Sequence, residues 1–404
     1  MYDVAALRAR IPALNPPHPP TAFFDGPGGS QTPAEVAQAI AAALTAPLAN
    51  RGTINRAAQN AEDIVVGARR AVADLLGTDA RGVVFGRSMT QLAYDFARVL
   101  AAGWGPGDEV VVTRLDHDGH IRPWVQAAER AGAQVRWADF DPDTGELTAG
   151  DIAAQLTGRT RLVAVTGASN LIGTRPPLAE IAQLAHDRGA LFSVDAVHLT
   201  AHAPIDRREF GADLLFCSPY KFLGPHCGVL AADPALLETL HPDKLAPSTD
   251  DVPERFEYGT LPYEMLAGVT AAVDVIASLA PDSVGAGRRE RVVVGMEQVE
   301  EHEDALRAEL EHGLASVPGI TQRARASRRT PTLLLTFDGR DAAAVADTLA
   351  EQNINAPADS FYAMEASRRL GLGDAGGMRV GLAPYTDQAD IQRLLDALQA
   401  AVKS

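Results

Sequence analysis

The chain has 404 residues, and its 52 acidic and 36 basic side chains give a formal net charge of −16. It has no basic block of the kind that binds nucleic acid, no secretory signal pattern at its start, and no apolar run of the roughly 18–20 residues that a membrane span needs. Its two cysteines, Cys217 and Cys227, match no common zinc spacing, so no metal is expected. A soluble cytoplasmic protein without nucleic-acid or membrane partners is predicted, long enough for two domains.

In the middle of the chain, short apolar runs alternate with helical patterns. Strands are predicted at 82–86, 109–114, 161–167, 190–195, 213–218 and 228–232. Helices are predicted between most of these strands, at 88–102, 121–132 and 178–189. Because apolar strands that alternate with helices are typical of a sheet covered on both faces, an α/β fold with a mainly parallel sheet is expected.

The pattern changes after about residue 265. A long amphipathic helix is predicted at 288–314, because Val292, Met296, Val299, Leu306, Leu310 and Leu314 fall on one stripe at helical spacing. A strand at 331–339, a helix at 341–352, a strand at 377–384 and a helix at 387–402 follow. These elements predict a smaller α+β domain.

Polar or ionisable residues follow five consecutive predicted strands. The segments are "RSMTQ" (87–91), "LDHDGH" (115–120), "ASNLIG" (168–173), "DAVH" (195–198) and "SPYK" (218–221). In open α/β sheets, ligands bind beyond the carboxyl ends of the strands, so these segments are expected to form one pocket.

Two residues in these segments could serve pyridoxal phosphate. Lys221 is either a surface lysine in a turn or an amine held in a pocket to form a Schiff base. Asp195 either caps a turn or pairs with a protonated pyridine nitrogen, because a carboxylate at the end of a buried strand is costly without such a partner.

The remaining candidates also have structural alternatives. His117 could stack on the cofactor ring or lie in solvent. Ser88 and Thr90 could bind a phosphate at the start of a helix or act as ordinary N-caps. Asn170 could contact the ring hydroxyl or belong to a turn before Gly173.

Together the motifs resemble a known family. "SVDAVH" (193–198) and "CSPYKFLGP" (217–225), with "SNLIGT" (169–174) and "DHDGHIRPW" (116–124), are similar to the class V aminotransferases of the fold type I pyridoxal-phosphate enzymes, and within them to the cysteine desulfurase-like proteins. The resemblance extends from "FFDGPGGSQTP" (23–33) through "ANRG" (49–52) and "FEYGT" (256–260) to "MRVGLAPYTDQADIQRLLDAL" (378–398). It implies a large cofactor-binding domain with a seven-stranded type of sheet at 31–265, a small C-terminal domain at 266–404, and an N-terminal segment, 1–30, that joins the small domain.

The resemblance implies pyridoxal 5′-phosphate as the cofactor and assigns catalytic roles. Lys221 would form the Schiff base and later move the α-proton. Asp195 would pair with the ring nitrogen, and His117 would stack on the ring. Asn170 and His198 would contact the 3′-oxygen, although many desulfurases have Gln at the position of His198.

The resemblance also assigns residues to the phosphate end and to the substrate end of the pocket. The phosphate would be surrounded by Ser88, Met89, Thr90, Ser218 and Tyr220, and by Thr260 of the neighbouring subunit in a homodimer whose active site lies at the interface. Arg379 would bind the substrate carboxylate as a bidentate guanidinium, with Gly28 and Asn50 beside the substrate.

The largest departure from the desulfurases concerns sulfur. Their mobile cysteine has no counterpart in 355–371, and Cys217 and Cys227 lie in apolar runs. The sequence therefore predicts an enzyme that acts on an α-amino acid by β-elimination, as a C–S lyase does, without a persulfide on the usual loop. A class V aminotransferase or racemase is one alternative, and a non-catalytic cofactor-binding protein is another. A nucleotide-binding oxidoreductase is disfavoured because no G-x-G-x-x-G follows the first strand.

Overall fold

The computed structural model describes residues 2–285 and 287–403 of the chain. Its strands are β1 (Ala22–Phe23), β2 (Val83–Gly86), β3 (Glu109–Thr113), β4 (Gln134–Ala138), β5 (Thr160–Thr166), β6 (Leu191–Asp195), β7 (Leu214–Cys217), β8 (Gly228–Ala232), β9 (Ile320–Arg323), β10 (Thr332–Phe337), β11 (Ile354–Asn355), β12 (Ala358–Asp359) and β13 (Gly377–Gly381).

The helices are α1 (Val4–Ala9), α2 (Ala34–Thr45), α3 (Arg56–Leu76), α4 (Met89–Ala101), α5 (Asp118–Ala131), α6 (Ala149–Ala153), α7 (Leu178–His186), α8 (Pro234–Thr239), α9 (Tyr263–Ala277), α10 (Arg288–Leu314), α11 (Ala342–Ala350), α12 (Met364–Arg369) and α13 (Gln388–Lys403). Short 3₁₀ turns lie at Pro12–Leu14, Ala80–Gly82, Leu199–Ala201, Pro219–Lys221 and Glu254–Phe256. Within the described residues, no helix has both the length and the apolar character that crossing a membrane requires.

The large sheet has seven strands in the order β2-β8-β7-β6-β5-β3-β4. Its strands are parallel except β8, which runs antiparallel to both of its neighbours. Successive residues of one strand enter two different core clusters: Leu215 belongs to one, and Leu214 and Phe216 belong to the other. Because both faces of the sheet are covered, its central strands are apolar throughout, and the predicted mainly parallel α/β sheet is confirmed.

One strand of the large sheet, β4, and the start of one neighbouring helix, α5, differ from the prediction. β4 was not predicted, because it is the edge strand next to β3 and its residues are mostly polar or only half-buried. α5 begins at Asp118, three residues before the predicted start at 121, because His117 caps the helix by accepting the backbone N–H of Gly119. This earlier start places His117 at the end of the sheet where the pocket was predicted.

The C-terminal part contains a four-stranded antiparallel sheet in the order β12-β13-β10-β9. β1 pairs in parallel with β11, so the N-terminal segment reaches this part of the molecule. α10 spans the predicted 288–314, and its predicted stripe is buried. The stripe divides between two cores: Val292 to Val299 pack with the large sheet, and Leu306 to Leu314 pack with the small one. The domain limits near 30 and 265 stay predictions; Leu266 of α9 packs in the core of the large sheet.

Candidate active site

A cavity of about 580 Å³ lies at the carboxyl ends of the parallel strands, between the large and the small sheet. The predicted site residues that line it are Gly28, Ser88, Met89, Thr90, His117, Asn170, Asp195, His198, Ser218, Tyr220, Lys221 and Arg379. Asn50 and Thr260 do not line it, and both are exposed in the described chain. The predicted role of Thr260 lies in a neighbouring subunit, so it stays a prediction, as does that of Asn50.

Lys221 ends the 3₁₀ turn that follows β7, and this turn carries it into the cavity. Its side chain is buried, and its Nζ donates a hydrogen bond to the carbonyl of Pro27. Burial, with a smaller contribution from the positive charge of Arg379, lowers the pKa of the Lys221 amine to about 7. A surface lysine in a turn does not fit this environment. A buried amine that is partly uncharged at neutral pH fits a nucleophile or a base.

Asp195 ends β6, and its carboxyl group is buried. The carboxylate accepts the backbone N–H of Val197 at 2.9 Å, but no described residue forms an ion pair with it. Burial raises the pKa of Asp195 to about 6, although the nearby His120 acts in the opposite direction. An isolated carboxylate is costly in such a place, and a cationic ring nitrogen would compensate that cost.

A buried network connects the two elements that present His117 and Asp195. His120, on the first turn of α5, contacts Asp116 Oδ1 through Nδ1 and Ser193 Oγ through Nε2, each at 2.9 Å. Ser193 lies two residues before Asp195 on β6, so the network connects the start of α5 to the strand that carries the carboxylate. Buried polar networks whose members are all paired make such elements rigid.

His117 occupies the N-cap position of α5. Its Nδ1 accepts the Gly119 N–H at 2.9 Å, which assigns the ring proton to Nε2 when the ring is neutral. Burial lowers the pKa of His117 to about 4, so the ring is neutral at physiological pH. A flat, neutral imidazole in the cavity fits a group that stacks on an aromatic ligand.

The start of α4 forms another wall of the cavity. Ser88 is the N-cap and accepts the Gln91 N–H at 3.1 Å, so its capping role is present. Gly228 packs so closely against this turn that a Cβ atom there would lie 2.2 Å from the carbonyl carbon of Ser88. Met89 and Thr90 follow in the first turn and line the cavity. The positive end of a helix dipole and its free N–H groups suit a phosphate.

Asn170 and His198 also line the cavity. The Asn170 amide nitrogen donates to the carbonyl of Phe361 at 3.0 Å, and its buried Oδ1 has no partner among the described residues. His198 Nε2 contacts the hydroxyl groups of Thr330 and Thr332 at 2.9 and 3.0 Å. Burial lowers the pKa of His198 well below its usual value, so its ring is neutral.

Arg379 lies on β13 and reaches the cavity from the small sheet. It forms an ion pair with Asp25, and its Nη1 donates to the carbonyl of Asn170 at 3.1 Å. Its guanidinium carbon lies 3.7 Å from the centre of the Phe361 ring, and its buried Nε has no partner in the described part of the chain. The guanidinium therefore keeps donor capacity for a further anion.

Sequence reasoning missed several residues that line the cavity. These are Asp25, Pro27, Tyr94, Asp118, Gly119, Arg122, Thr166, Ala168, Val197, Asp359, Phe361 and Tyr362. Some of them lie in the motifs already singled out, and the motif positions could have identified them. Phe361 and Tyr362 lie in the region where a desulfurase cysteine was expected, but no local pattern marks them as pocket residues.

The two cysteines lie elsewhere. Both are buried, and neither belongs to the described residues that line the cavity. Burial raises the pKa of the Cys217 thiol and that of the Cys227 thiol. Thiols in such environments are inert, so neither residue resembles a sulfur-accepting nucleophile.

The unsatisfied groups of the cavity fit pyridoxal phosphate. Among the described residues, none forms an ion pair with Asp195 and none donates to Asn170 Oδ1, and Lys221 offers a buried amine. The first turn of α4 would hold the phosphate, and His117 would cover the ring.

The chain is similar to known proteins over almost its whole length. The family model described as aminotransferase class-V matches residues 22–394. An uncharacterised protein of Mycobacterium tuberculosis is 32% identical over 399 residues, which cover 98% of this chain and 98% of that protein. A probable cysteine desulfurase of Mycolicibacterium paratuberculosis is 30% identical over 423 aligned positions, covering 99% of this chain and 58% of that protein. The crystal structure of the cysteine desulfurase CsdA from Escherichia coli superimposes with a TM-score of 0.86 at 25% identity, covering 100% of this chain and 99% of that one.

Proposed function

Because the chain belongs to the class V aminotransferases, which use pyridoxal 5′-phosphate, we propose that it is a C–S lyase that expels a sulfur-bearing β-substituent from an α-amino acid. One observation carries the proposal: the buried amine of Lys221, the buried carboxylate of Asp195 and the guanidinium of Arg379 share a cavity that no described cysteine lines. The first two groups suit removal of an α-proton, and the guanidinium suits an amino-acid carboxylate.

When bound, the cofactor supplies an aldehyde for the substrate amine and an electron sink for the electron pair released at Cα. Lys221, with its pKa near 7, takes the α-proton and is uncharged often enough at neutral pH to act as a base. Asp195 holds a proton at the ring nitrogen, because a cation there relieves the cost of its own burial. Arg379 binds the α-carboxylate through the donor capacity that Asp25 leaves free.

The fate of the sulfur distinguishes this proposal from desulfuration onto the enzyme. The only cysteines of the chain are Cys217 and Cys227, and burial raises the pKa of both thiols. The leaving group therefore departs as a free thiol or sulfide instead of remaining bound to the protein as a persulfide.

Incubation of the holoenzyme with cysteine and with S-substituted cysteines tests the proposal. We expect pyruvate, ammonia and the corresponding thiol or sulfide in equal amounts, from wild type and from a Cys217→Ala/Cys227→Ala double variant alike. Formation of the substrate's own keto acid only when a second keto acid is added would instead indicate transamination. A double variant that is stable but releases no sulfur would contradict the free-thiol route.

We also propose that the enzyme acts as a homodimer, with Thr260 reaching the phosphate in the neighbouring subunit. Its exposure outside its own cavity, on the same segment as the exposed Tyr258, supports this arrangement. Mixing Lys221→Ala protein with Thr260→Ala protein should restore activity, because one site of each mixed dimer has both native residues. A monomer in sedimentation, or no gain on mixing under conditions where subunits exchange, would contradict it.

A further inference from the structure

Residues 359–369, here called the roof segment, cover the cavity from the side of the small sheet. Asp359, Phe361 and Tyr362 line the cavity, and α12 follows directly. On one side the segment is continuous with β12, which pairs with β13 through the register Asp359 to Gly377. The segment is therefore attached to the small sheet and reaches across to the large one.

Two hydrogen bonds to backbone carbonyl groups, one from a backbone N–H and one from a side-chain amide, connect the roof segment to the large sheet. The N–H of Asp118, the first residue of α5, donates to the carbonyl of Tyr362 at 2.7 Å. The amide nitrogen of Asn170, which follows β5, donates to the carbonyl of Phe361 at 3.0 Å. Both donors lie just beyond the carboxyl ends of strands, β3 for Asp118 and β5 for Asn170, and Asp118 and Asn170 both line the cavity.

An ion pair adds a third connection. Arg114 Nη1 lies 2.6 Å from Glu365 Oε2, and Arg122 Nη2 lies 3.6 Å from Glu365 Oε1. Arg114 itself is fixed, because Asp139 lies 2.9 Å from its Nε and the Trp137 ring centre lies 4.9 Å from its guanidinium carbon. The Glu365 side chain is only 13% exposed, so solvent screens this contact less than a surface pair.

The backbone of the roof segment needs such support. Phe361 has φ of 53° and Tyr362 has φ of 57°, in the left-handed region that bulky side chains rarely adopt. Such residues raise the energy of the folded backbone and persist only where their surroundings hold them. If the contacts to the large sheet are lost, the two residues are expected to relax.

The two aromatic rings contact the groups that face the ligand. The Phe361 ring lies over the Arg379 guanidinium, and the Tyr362 ring centre lies 5.6 Å from that of His117. A change in the backbone at 361–362 would therefore disturb both Arg379, the proposed carboxylate-binding residue, and His117.

We propose that Glu365 is a positioning residue: through Arg114 and Arg122 it holds the roof segment against the large sheet, so that Phe361 and Tyr362 form a fixed wall of the substrate site. The wall limits which β-substituents enter and orders the site for the α-carboxylate. The segment is thus a fixed cover and not an arm that moves to carry sulfur away. This inference rests on the proposed function only in taking an α-amino acid as the ligand.

The test compares Glu365→Gln and Arg114→Gln with Asp374→Asn as a matched control. Asp374 pairs with Arg368 of the same segment at 2.6 Å but is largely exposed and makes no ion pair with the large sheet among the described residues. Chymotrypsin cleavage after Phe361 and Tyr362 reports the mobility of the roof segment without any turnover, and it does not depend on the charge partners of Arg368. We expect cleavage of both Gln variants to be about tenfold faster than that of wild type, and cleavage of Asp374→Asn to be unchanged.

Steady-state kinetics give the second readout. For Glu365→Gln we expect KM for the amino acid to rise about tenfold while kcat changes less than threefold, since the reacting groups are untouched. Alanine, which has no leaving group, serves as the probe for ligand affinity through the absorbance of the bound cofactor. The affinity of Glu365→Gln for alanine should fall by a similar factor. This readout measures binding alone, so it does not depend on the lyase reaction. Unchanged cleavage in both Gln variants, or faster cleavage with unchanged alanine affinity, would overturn the proposal.

Discussion

Two buried carboxylates at opposite ends of the large sheet have opposite properties. Glu109 begins β3, and its oxygens contact Arg136 at 2.7 and 2.9 Å, Arg159 at 2.6 Å and the hydroxyl of Thr157 at 2.6 Å. These hydrogen bonds, that of Arg136 above all, lower the pKa of Glu109 to about 2. Asp195 ends β6 and accepts the backbone N–H of Val197, and burial raises its pKa to about 6.

The difference separates a structural carboxylate from a ligand-binding one. Glu109 is 1% exposed and fully satisfied by the protein, so it needs nothing further. Asp195 is 4% exposed, and in the part of the chain that the structure describes no cation forms an ion pair with it. Since loops at the carboxyl ends of parallel strands surround a pocket, this is the end of the sheet where an unsatisfied group can meet a ligand. Substitutions at the two ends should therefore affect different properties.

The largest effect is expected at the amine beside Asp195. Lys221→Ala removes both the nucleophile and the base, so pyruvate release should fall by about 10³-fold or more. Lys403→Ala, at the exposed end of α13, is the matched control and should keep wild-type activity. Release of pyruvate by Lys221→Ala at more than a tenth of the wild-type rate would remove Lys221 from the chemistry.

Asp195→Asn should lower activity by about 10²–10³-fold, because the neutral amide no longer holds a proton on the ring nitrogen. The protein without cofactor should respond differently. The folded pKa of Asp195 is raised to about 6 from about 3.9 in the unfolded chain, so wild type loses stability as pH rises from about 4 to 6. The Asp195→Asn variant has no ionisable group at this position, so its stability should not fall for this reason as pH rises.

Chemical denaturation of both cofactor-free proteins at pH 5 and pH 8 measures this difference. The stability of Asp195→Asn relative to wild type should be greater at pH 8 than at pH 5. A relative stability that stays constant between the two pH values would mean that Asp195 already has a partner in the protein.

The sequence predicts one end of the large sheet better than the other. The end that carries Asp195 could be predicted, whereas the surroundings of Glu109 could not. Strands covered on both faces are apolar throughout, so β6 and β7 were predicted, and the family motifs identified Asp195 and Lys221. β4 was missed because an edge strand is partly polar: Arg136 projects from it to pair with Glu109. The partners of Glu109 become visible only when β3, β4 and the loop before β5 lie side by side.

The contacts on the side of the pocket formed by the small sheet could not be predicted from the sequence either. Arg379 was identified through its motif, but its ion pair with Asp25 joins residues 354 positions apart. Phe361 and Tyr362 enter the cavity because hydrogen bonds from Asp118 and Asn170 hold their carbonyl groups. Contacts of such sequence separation have no periodicity or spacing that a linear pattern could reveal.

The smallest effect on activity is expected at Glu109. Glu109→Gln should leave pyruvate release within twofold of wild type, because Glu109 lies at the end of the sheet opposite to the cavity. It should lower the free energy of unfolding by about 2 kcal/mol, since it weakens charged hydrogen bonds around a buried group. Arg159→Gln removes an exposed donor only and should cost less than about 1 kcal/mol.

The pH dependence at Glu109 should have the opposite sign to that at Asp195. The folded pKa of Glu109 is about 2 and that of an unfolded glutamate is about 4.3, so its contribution is fully present above the unfolded pKa and disappears as pH falls towards 2. The stability difference between wild type and Glu109→Gln should therefore shrink between pH 5 and pH 2.5. A difference that persists at pH 2.5 would show that Glu109 acts through packing, because protonation would then leave its contribution unchanged.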